Sequence, residues 1–349
     1  MAKSGENKDI RILQFLESHP SSSSKEIHDG LGEAFGYATV KRVLQRLLSE
    51  NLVTTTGQGK GTRYVISPAY NLLRPIDVEE YFRKEIDERS MRNTFNHSLI
   101  RETLSDIPLF SKDELSRLND LQNRYQKNIS KLSETEYQKE LERLAIDLSW
   151  KSSQIEGNTY SLLETELLLK EKQTASGKTK DEAIMLLNHK AALDFIIANP
   201  SYVKKLTVSA IEDIHSILAK DLPIARNIRN NIVGITGTNY KPLDNEFQIR
   251  EALEDMCALV NKKEDVFEKA LLVLVLVSYI QPFADGNKRT AQIIDNAILM
   301  QNNYCPISFR TVDSMDYKKA MLLFYEQNNL FGFKKIFIEQ FEFAVGTYF

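Results

Sequence analysis

The sequence has few cysteines and no long apolar run, and each scarcity excludes a class of protein. Only Cys257 and Cys305 occur in 349 residues, which argues against a disulfide framework and fits a reducing compartment. The longest apolar run, Ala270 to Val277, is far too short to span a bilayer and predicts a buried helix. The first residues, MAKSGENKDIRILQFL, contain no apolar segment typical of signal peptides. We therefore expect a cytoplasmic protein with no membrane partner.

The chain also lacks a strong excess of charge of either sign. Its formal net charge is −3 and its isoelectric point is near 6.1, so the net charge of the chain does not favour binding to nucleic acid or to anionic membranes. A nucleic-acid site would therefore have to be a local patch. Hydrophobic residues make up 42% of the chain, which is enough for real cores, and the length is comfortable for two domains.

Three regions differ in their patterns. Residues 8–67 combine short helical patterns with a glycine-punctuated hairpin. Residues 68–134 are charged and have helical periodicity, which predicts a connector without chemistry of its own. Residues 135–349 are helical almost throughout, with one strand-like interruption at 231–242. The predicted fold class is mainly α.

The pattern of residues 8–67 is typical of a winged helix-turn-helix domain. An apolar stripe ends at His19-Pro20, and the serine run that follows offers an N-cap for a second short helix. A third helix places apolar residues from Val40 to Leu48 at helical spacing. Two strand patterns then flank a glycine-rich turn at 57–61. Three helices followed by such a hairpin look like a winged helix.

The third helix and the hairpin carry a local excess of positive charge. Between residues 37 and 64, five cationic residues stand against one acid, Glu50, a local charge of +4. A recognition helix and a wing that contact DNA phosphates have this pattern. The residues predicted to contact DNA are Thr39, Lys41, Arg42, Arg46, Lys60 and Arg63. Two alternatives stay open, since winged helices also bind proteins and a basic helix face is often only solvated.

The stretch Gln281 to Thr290, QPFADGNKRT, lies between two apolar helical patterns. Its turn at 286–288 can present consecutive backbone N–H groups at the start of a second helix, which we expect near Arg289. Such a helix start favours anions, and Asp285 adds an oxygen ligand suited to Mg²⁺ on nucleotide phosphates. The Asp-Gly-Asn turn alone is a weak signal, since these residues are common in ordinary turns.

The same stretch resembles the active-site loop of the Fic (Fido) family, whose signature reads His-Pro-Phe-x-Asp/Glu-Gly-Asn-Gly-Arg-x-x-Arg. Gln281 stands where the catalytic His of the family belongs, Lys288 replaces the second Gly, and Gln292 replaces the second Arg. The resemblance implies a Fic-type helical bundle with a β-hairpin flap over residues 135–349, and ATP and Mg²⁺ as cofactors. It assigns Mg²⁺ binding to Asp285 and nucleotide binding to Gly286, Asn287, Lys288, Arg289 and Gln292.

A second stretch, SSQIEGN at 152–158, resembles the inhibitory motif of the family, Ser/Thr-x-x-x-Glu-Gly/Asn. Ser152 and Glu156 are four residues apart, which puts both on one helix face, and Gly157 can end that helix. In relatives with this motif the glutamate pairs with the second Arg of the signature and displaces the γ-phosphate of ATP. Because that Arg is absent here, Glu156 would pair with Arg289 or Lys288. The plainer interpretation is a helix end with an exposed glutamate.

Residues 231–242, NIVGITGTNYKP, occupy the position of the flap of the family. The backbone of such a flap can dock an extended target segment by strand addition. The residues predicted for this role are Ile232, Val233, Gly234, Ile235 and Tyr240. A surface hairpin that only covers the helices is the alternative.

The resemblance also bears on activity. Family members typically transfer AMP from ATP to a protein hydroxyl, and the loop His takes the proton of that hydroxyl. The amide of Gln281 can orient a hydroxyl but cannot accept its proton, and a general base contributes about 10²–10⁴-fold to rate. Our preferred hypothesis is a nucleotide-binding regulator with lost or residual AMP transfer, coupled to a DNA-binding winged helix.

Two other hypotheses stay open. One is an active AMP transferase, or a phosphotransferase of the Doc type, which the ending Asn-Lys-Arg-Thr resembles. Such an enzyme would act on Ser, Thr or Tyr hydroxyls of a protein and be inhibited by Glu156. The other is a pure interaction protein whose flap binds peptides. The resemblance further implies a homodimer, and we expect His189 and His215 to be core histidines.

Overall fold

The computed structural model, which describes residues 3–32 and 35–349, divides into two compact units. The first contains the chain up to Pro75 together with Asp106–Ser116. The second contains Ile76–Ser105 and Arg117–Phe349. Residues 68–134, predicted as a connector, are thus distributed over both units.

The first unit has the winged-helix order of elements. Its strands pair antiparallel, with Val53 opposite Ile66, and Leu16 and Leu44 of the predicted apolar stripes are buried. The Ser23 side chain caps the second helix in a capping box with Glu26. The predicted winged helix-turn-helix is confirmed. Its elements are α1 (Lys3–Ser18), α2 (Ser24–Leu31), α3 (Tyr37–Ser49), β1 (Val53–Thr56), a 3₁₀ turn (Gly59–Gly61), β2 (Arg63–Ile66) and α4 (Tyr70–Leu73).

The rest of the chain is helical, which confirms the mainly α class. Short elements come first: α5 (Val78–Arg83), a 3₁₀ turn (Ile86–Glu88), a π-helical turn (Leu99–Thr103) and α6 (Leu104–Asp106). Longer helices follow: α7 (Lys112–Ile129), α8 (Glu134–Ile155), α9 (Leu162–Glu171), α10 (Lys180–Ala198), α11 (Val208–Leu218), α12 (Glu246–Lys262), α13 (Val266–Ile280), α14 (Asn287–Gln301), α15 (Ser314–Gln327) and α16 (Phe331–Thr347).

Helix α13 forms the centre of the second unit. Every residue from Ala270 to Ile280 is fully buried, as expected for a helix that is apolar on all sides. It packs against α12, α14 and α15, and this packing delivers the loop that follows it to a fixed place. Over residues 3–32 and 35–349, no helix is both long enough and apolar enough to cross a membrane.

The predicted β-hairpin at 231–242 is wrong. Residues 231–243, which we call the extended segment, contain a turn but no ladder between their two legs in the described structure. The groups that a ladder would need are used elsewhere: the Lys241 N–H donates to the Asn93 carbonyl (2.9 Å), and Arg89 donates to the Gly237 carbonyl (2.9 Å). The returning leg therefore pairs with an upstream part of the same unit and not with its own first leg.

Candidate nucleotide site and nucleic-acid interface

The loop 281–286 joins α13 to α14 and begins with a strained residue. Gln281 ends α13 in the left-handed conformation (φ 52°, ψ 57°), which few residues other than glycine adopt without cost. The next helix begins at Asn287, two residues before the predicted start, because Gly286 (φ 81°) supplies the left-handed residue that starts it. A glycine fits there because it has no Cβ.

The Gln281 side chain is held inside the loop. Its amide NH₂ group donates to the Ser278 carbonyl (2.7 Å) and to the Tyr325 hydroxyl (3.3 Å). Its amide oxygen accepts from the Asn287 side chain (3.0 Å). Burial raises the pKa of Tyr325, so this phenol stays protonated near neutral pH. Neither side chain at this position can therefore take a proton from an incoming hydroxyl.

Asn287 fastens the loop from within. Its side-chain oxygen accepts from the Phe283 N–H (2.9 Å), and its NH₂ group donates to the Phe283 carbonyl (2.8 Å). The Asn287 side chain is thus occupied, and of its polar groups the backbone N–H is the one available for the predicted nucleotide contact. No side chain caps the start of α14, so the first N–H groups of this helix form a place for an anion.

Arg289 is buried beneath the loop and pairs with two acids. Its side chain is 1% exposed, and its Nε donates to the Glu156 carboxylate. One terminal nitrogen donates to Asp285 (3.1 Å), and the other, Nη1, has no partner among the described residues. Burial alone would lower the pKa of Arg289, but the charges of Glu156 and Asp285 offset burial and raise it. Arg289 therefore stays a cation whose present partners are Glu156 and Asp285.

Helix α8 ends where its sequence pattern predicts. Glu156 is its C-terminal cap, and Gly157 follows with φ 101°. Ser152, one turn earlier, is buried, and its hydroxyl has no partner in the part of the chain that the structure describes. The motif thus points Glu156 inward, against Arg289, and the plainer interpretation of an exposed glutamate is wrong.

The two remaining predicted loop residues differ in their surroundings. Gln292 is buried and donates to the Tyr317 hydroxyl (3.3 Å), so it lies in the core beneath α14. Lys288 is half-buried and forms no ion pair among the described contacts. Glu156 therefore pairs with Arg289, not with Lys288.

His215 contacts the loop, which the sequence did not indicate. It is buried as expected, but its Nε2 lies 3.0 Å from the Asp285 carbonyl and its Nδ1 lies 3.2 Å from the Arg226 carbonyl. Its ring stacks on Phe283 with 3.6 Å between centroids. His189 is fully buried on α10, and burial lowers its pKa to about 3. His215 thus supports the loop, whereas His189 is a neutral core residue.

The predicted flap residues divide into exposed and buried ones. Ile232 is 79% exposed, and Val233, Gly234 and Ile235 are half-buried or exposed. Tyr240 is buried and donates to the Tyr279 carbonyl (3.2 Å). The Tyr240 side chain thus anchors the extended segment to α13 and is not open to a docked peptide.

The cations predicted for DNA lie on α3 and β2, and two of them have acidic partners. Arg46 pairs with Asp9, and Arg63 with Glu26 (2.7 Å). The local charge of +4 counted along the sequence is therefore partly offset by acids from α1 and α2. Two further cations, Lys41 and Arg42, are exposed, and Thr39 is half-buried. Lys60 lies outside the residues whose side chains are described.

The sequence profile of the Fic/DOC family matches residues 205–299, which include the loop, the start of α14 and the extended segment. The chain contains a Fic/DOC domain. The profile of the penicillinase repressor family matches residues 7–124, which agrees with the winged helix of the first unit.

Curated relatives of the Fic domain are protein adenylyltransferases. The chain is 33% identical to that of Nematostella vectensis over 175 residues, which is 48% of this chain and 40% of the relative. It is 29% identical to that of Caenorhabditis elegans over 177 residues, 48% of this chain and 34% of the relative. The chain thus spans less than half the length of these relatives.

Solved structures have the same fold. Fic-1 of C. elegans (residues 134–508) has a TM-score of 0.60 at 21% identity, covering 68% of this chain and 72% of that one. A Fic domain containing signaling protein from Bacteroides thetaiotaomicron has a TM-score of 0.57 at 19% identity, covering 66% of this chain and 94% of that one. At such identities the likeness concerns the fold alone.

Proposed function

We propose that the Fic domain binds ATP at the start of α14 in a form that Glu156 restrains, and that the winged helix binds DNA. The protein would then be a regulator in which AMP transfer is lost or residual. The observation that carries this proposal is the pairing of buried Arg289 with Glu156 next to an uncapped helix start. ATP follows from the adenylyltransferase relatives.

The start of α14 is suited to a triphosphate. Free N–H groups at a helix start and the partial positive charge of the helix favour phosphate oxygens. Once Glu156 withdraws, the Arg289 guanidinium offers donors in the planar arrangement that matches phosphate. Lys288 adds a second cation beside it. Ordering ATP against Arg289 would therefore require displacing Glu156.

Mg²⁺ would be held by Asp285. No group of three or more His, Cys, Asp or Glu residues that could hold a metal occurs within the described ranges. Mg²⁺ is commonly bound by one or two carboxylates together with phosphate oxygens and water. The Asp285 side chain is 54% exposed, which suits this arrangement. The ion would supply charge neutralisation on the phosphates.

Weak transfer is proposed because of Gln281. The side-chain amide has no basic lone pair, and all three of its described hydrogen bonds are to groups of the same unit. Positioning and electrostatic stabilisation of the phosphates would remain without a base. Residual activity is therefore compatible with this site, and rapid transfer is not.

The DNA partner is proposed from the first unit. Exposed Lys41 and Arg42 on α3, together with Arg46 and Arg63, would contact phosphates. The acids paired with the last two are at the surface, where an ion pair contributes little and a phosphate can replace a carboxylate. The match to a repressor family supports this assignment.

An active, autoinhibited transferase is the second candidate, and one observation favours it. An ion pair that holds Arg289 away from phosphates is useful only where there is activity to restrain. The acceptor would be a Ser, Thr or Tyr hydroxyl of a protein docked at the exposed leg of the extended segment. A homodimer and a purely peptide-binding role remain further hypotheses.

Transfer from labelled ATP separates these candidates. Purified protein and a host lysate are incubated with ATP labelled at the α- or the γ-phosphate. Wild type is compared with Gln281→His, Glu156→Gly and the double variant, and Lys335→Gln, at an exposed position on α16, serves as a charge-changing control away from the site. We expect label from the α-position in the double variant and little or none in wild type.

Other outcomes change the assignment. Strong α-label with wild type would mean a transferase that works without the histidine. Label from the γ-position alone would indicate a Doc-like phosphotransferase. No label in any variant, together with no ATP binding that depends on Arg289, would leave the peptide-binding hypothesis.

A further inference from the structure

Arg229 is a buried arginine that donates only to backbone carbonyls. The residue as a whole is 3% exposed. Its Nε donates to the Gln281 carbonyl (2.6 Å). Its two terminal nitrogens donate to the carbonyls of Asn231 (2.6 Å) and Leu243 (2.5 Å). No carboxylate forms an ion pair with it within the described chain.

These three carbonyls belong to the two parts of the site. Asn231 and Leu243 are the first and last residues of the extended segment, and Gln281 is the first residue of the loop. The Arg229 backbone N–H also donates to the Pro282 carbonyl (2.9 Å). One residue thus joins both ends of the segment to the start of the loop.

The contact with Gln281 acts on a strained residue. A left-handed glutamine persists only where its surroundings impose that conformation. The guanidinium holds the Gln281 carbonyl, while Ser278, Tyr325 and Asn287 hold its side chain. Without the guanidinium, the Gln281 carbonyl would be free to relax away from the left-handed conformation.

We infer that Arg229 is a positioning residue that couples the extended segment to the nucleotide loop. When phosphates order the loop, the Gln281 carbonyl becomes fixed. The guanidinium that binds this carbonyl also binds the carbonyls of Asn231 and Leu243, so both ends of the extended segment become ordered as well. An extended polypeptide at the exposed leg near Ile232 would therefore meet an ordered segment when nucleotide is bound. This coupling rests on the proposed nucleotide site, but the shared anchoring by Arg229 does not.

The requirement for arginine follows from geometry. A guanidinium is planar and has five N–H donors in a fixed fork, so it can reach three carbonyls at once. Lysine keeps the charge but is a point donor on a flexible stem and cannot span the same three atoms. Arg229→Lys therefore keeps the charge and removes the fork of donors. Arg229→Gln, a shorter side chain with a single NH₂ group, removes both and is a second variant.

Hydrogen exchange of the full chain tests the shared anchoring without nucleotide. We expect Arg229→Lys to speed amide exchange about tenfold or more in both 231–243 and 281–287, because hydrogen bonds to each are lost. Exchange within α13 should stay unchanged. Arg310→Lys, which replaces an arginine that donates to Asp147 (3.1 Å) away from both regions, is the control and should change neither region.

Two results would overturn the inference. One is faster exchange in only one of the two regions, or in neither, for both Arg229 variants. The other is faster exchange throughout the second unit, α13 included, with a lower melting temperature. That pattern would mean that Arg229 only contributes to general stability.

A nucleotide arm tests the coupling and keeps it separate from the proposed function. In Glu156→Gly, ATP with Mg²⁺ should slow exchange in the loop and in 231–243. With Arg229→Lys added, ATP should protect the loop alone. Protection of both regions despite Arg229→Lys would contradict the coupling. If ATP protects neither region in Glu156→Gly itself, the proposed nucleotide site fails, while the exchange without nucleotide still decides the role of Arg229.

Discussion

The cations that we assign to phosphates in the two units differ mainly in burial. Arg46 and Arg63 have side chains that are 45% and 46% exposed, and each pairs with an acid at the surface. Arg289 is 1% exposed and pairs with Glu156, which is 8% exposed. Surface ion pairs contribute little and are screened by salt. A buried pair, in contrast, leaves an uncompensated charge when one partner is removed.

This difference predicts two kinds of control. A DNA phosphate can replace Asp9 or Glu26 at small cost, so the winged helix would need no separate release step. On the proposed function, ATP would reach Arg289 only after Glu156 has left, so the Fic domain would need such a release step. On the proposed function, DNA binding by the first unit would be graded by salt, whereas ATP binding by the second would behave as a switch.

Removing Glu156 should have the largest effect on stability. Glu156→Gly leaves Arg289 with Asp285 alone, and we expect unfolding of the second unit to become easier by about 3 kcal/mol. Glu156→Gln keeps the size of the side chain and should cost less. Urea denaturation followed by circular dichroism measures this. Equal stability of wild type and both variants would mean that the pair is not buried in solution.

Asp295 provides a contrasting buried acid on α14. It is fully buried, and neither carboxylate oxygen has a partner among the described residues. Burial raises its pKa well above 3.8, so the folded state keeps a proton that the unfolded chain releases. Its stabilising contribution is therefore fully present below pH 3.8 and decreases as the pH rises.

Asp295→Asn should accordingly stabilise the protein at neutral pH. We expect a gain of about 1–3 kcal/mol at pH 7, shrinking toward zero near pH 4. Thermal unfolding of wild type and variant across this range measures the difference, with Asn296→Asp as a companion that adds a buried acid to the same helix. A gain that does not depend on pH would show that the carboxyl is not held protonated.

Shortening Asn287 should loosen the loop by a smaller amount. Asn287→Ala removes its hydrogen bonds to Phe283 and Gln281, and we expect a loss of about 1–2 kcal/mol. Exchange of the loop amides should rise more than global stability falls. Asn302→Ala, which loses one bond at the other end of α14, is the control. Equal loop exchange in both variants would contradict a fastening role for Asn287.

The surface pairs should affect DNA binding far more than stability. Asp9→Asn removes the closer acidic partner of Arg46, which leaves Glu50 at 3.9 Å, and should change stability by less than about 1 kcal/mol. It should also steepen the slope of log affinity against log salt concentration by about 1, because one more cation would neutralise a DNA phosphate. Fluorescence anisotropy with a duplex at several KCl concentrations measures the slope. Glu342→Gln, which frees Arg117 in the second unit, is the control and should leave the slope unchanged.

Sequence patterns predicted the helices and the loop well because these depend on local signals. The apolar run of α13, the capping residues of α2 and the glycine after Glu156 each act within one or two turns. The winged-helix order was predictable for the same reason. The inward direction of Glu156 needed the family resemblance in addition.

Contacts between distant parts of the chain were not predictable. The partner of the returning leg, Asn93, lies nearly 150 residues upstream of Lys241, so the expected hairpin was wrong. Asp9 and Glu26 partly offset the positive charge of α3 and β2 from outside the window in which that charge was counted. His215 and Arg229 reach the loop only through tertiary packing, and neither belongs to a motif.

Calorimetric titration of ATP into wild type, Glu156→Gly and the Glu156→Gly/Arg289→Met double variant tests the central claim most directly. The account predicts binding at least about tenfold tighter in Glu156→Gly than in wild type, and loss of that gain in the double variant. Equal affinity of wild type and Glu156→Gly, or tight binding that persists without Arg289, would contradict it.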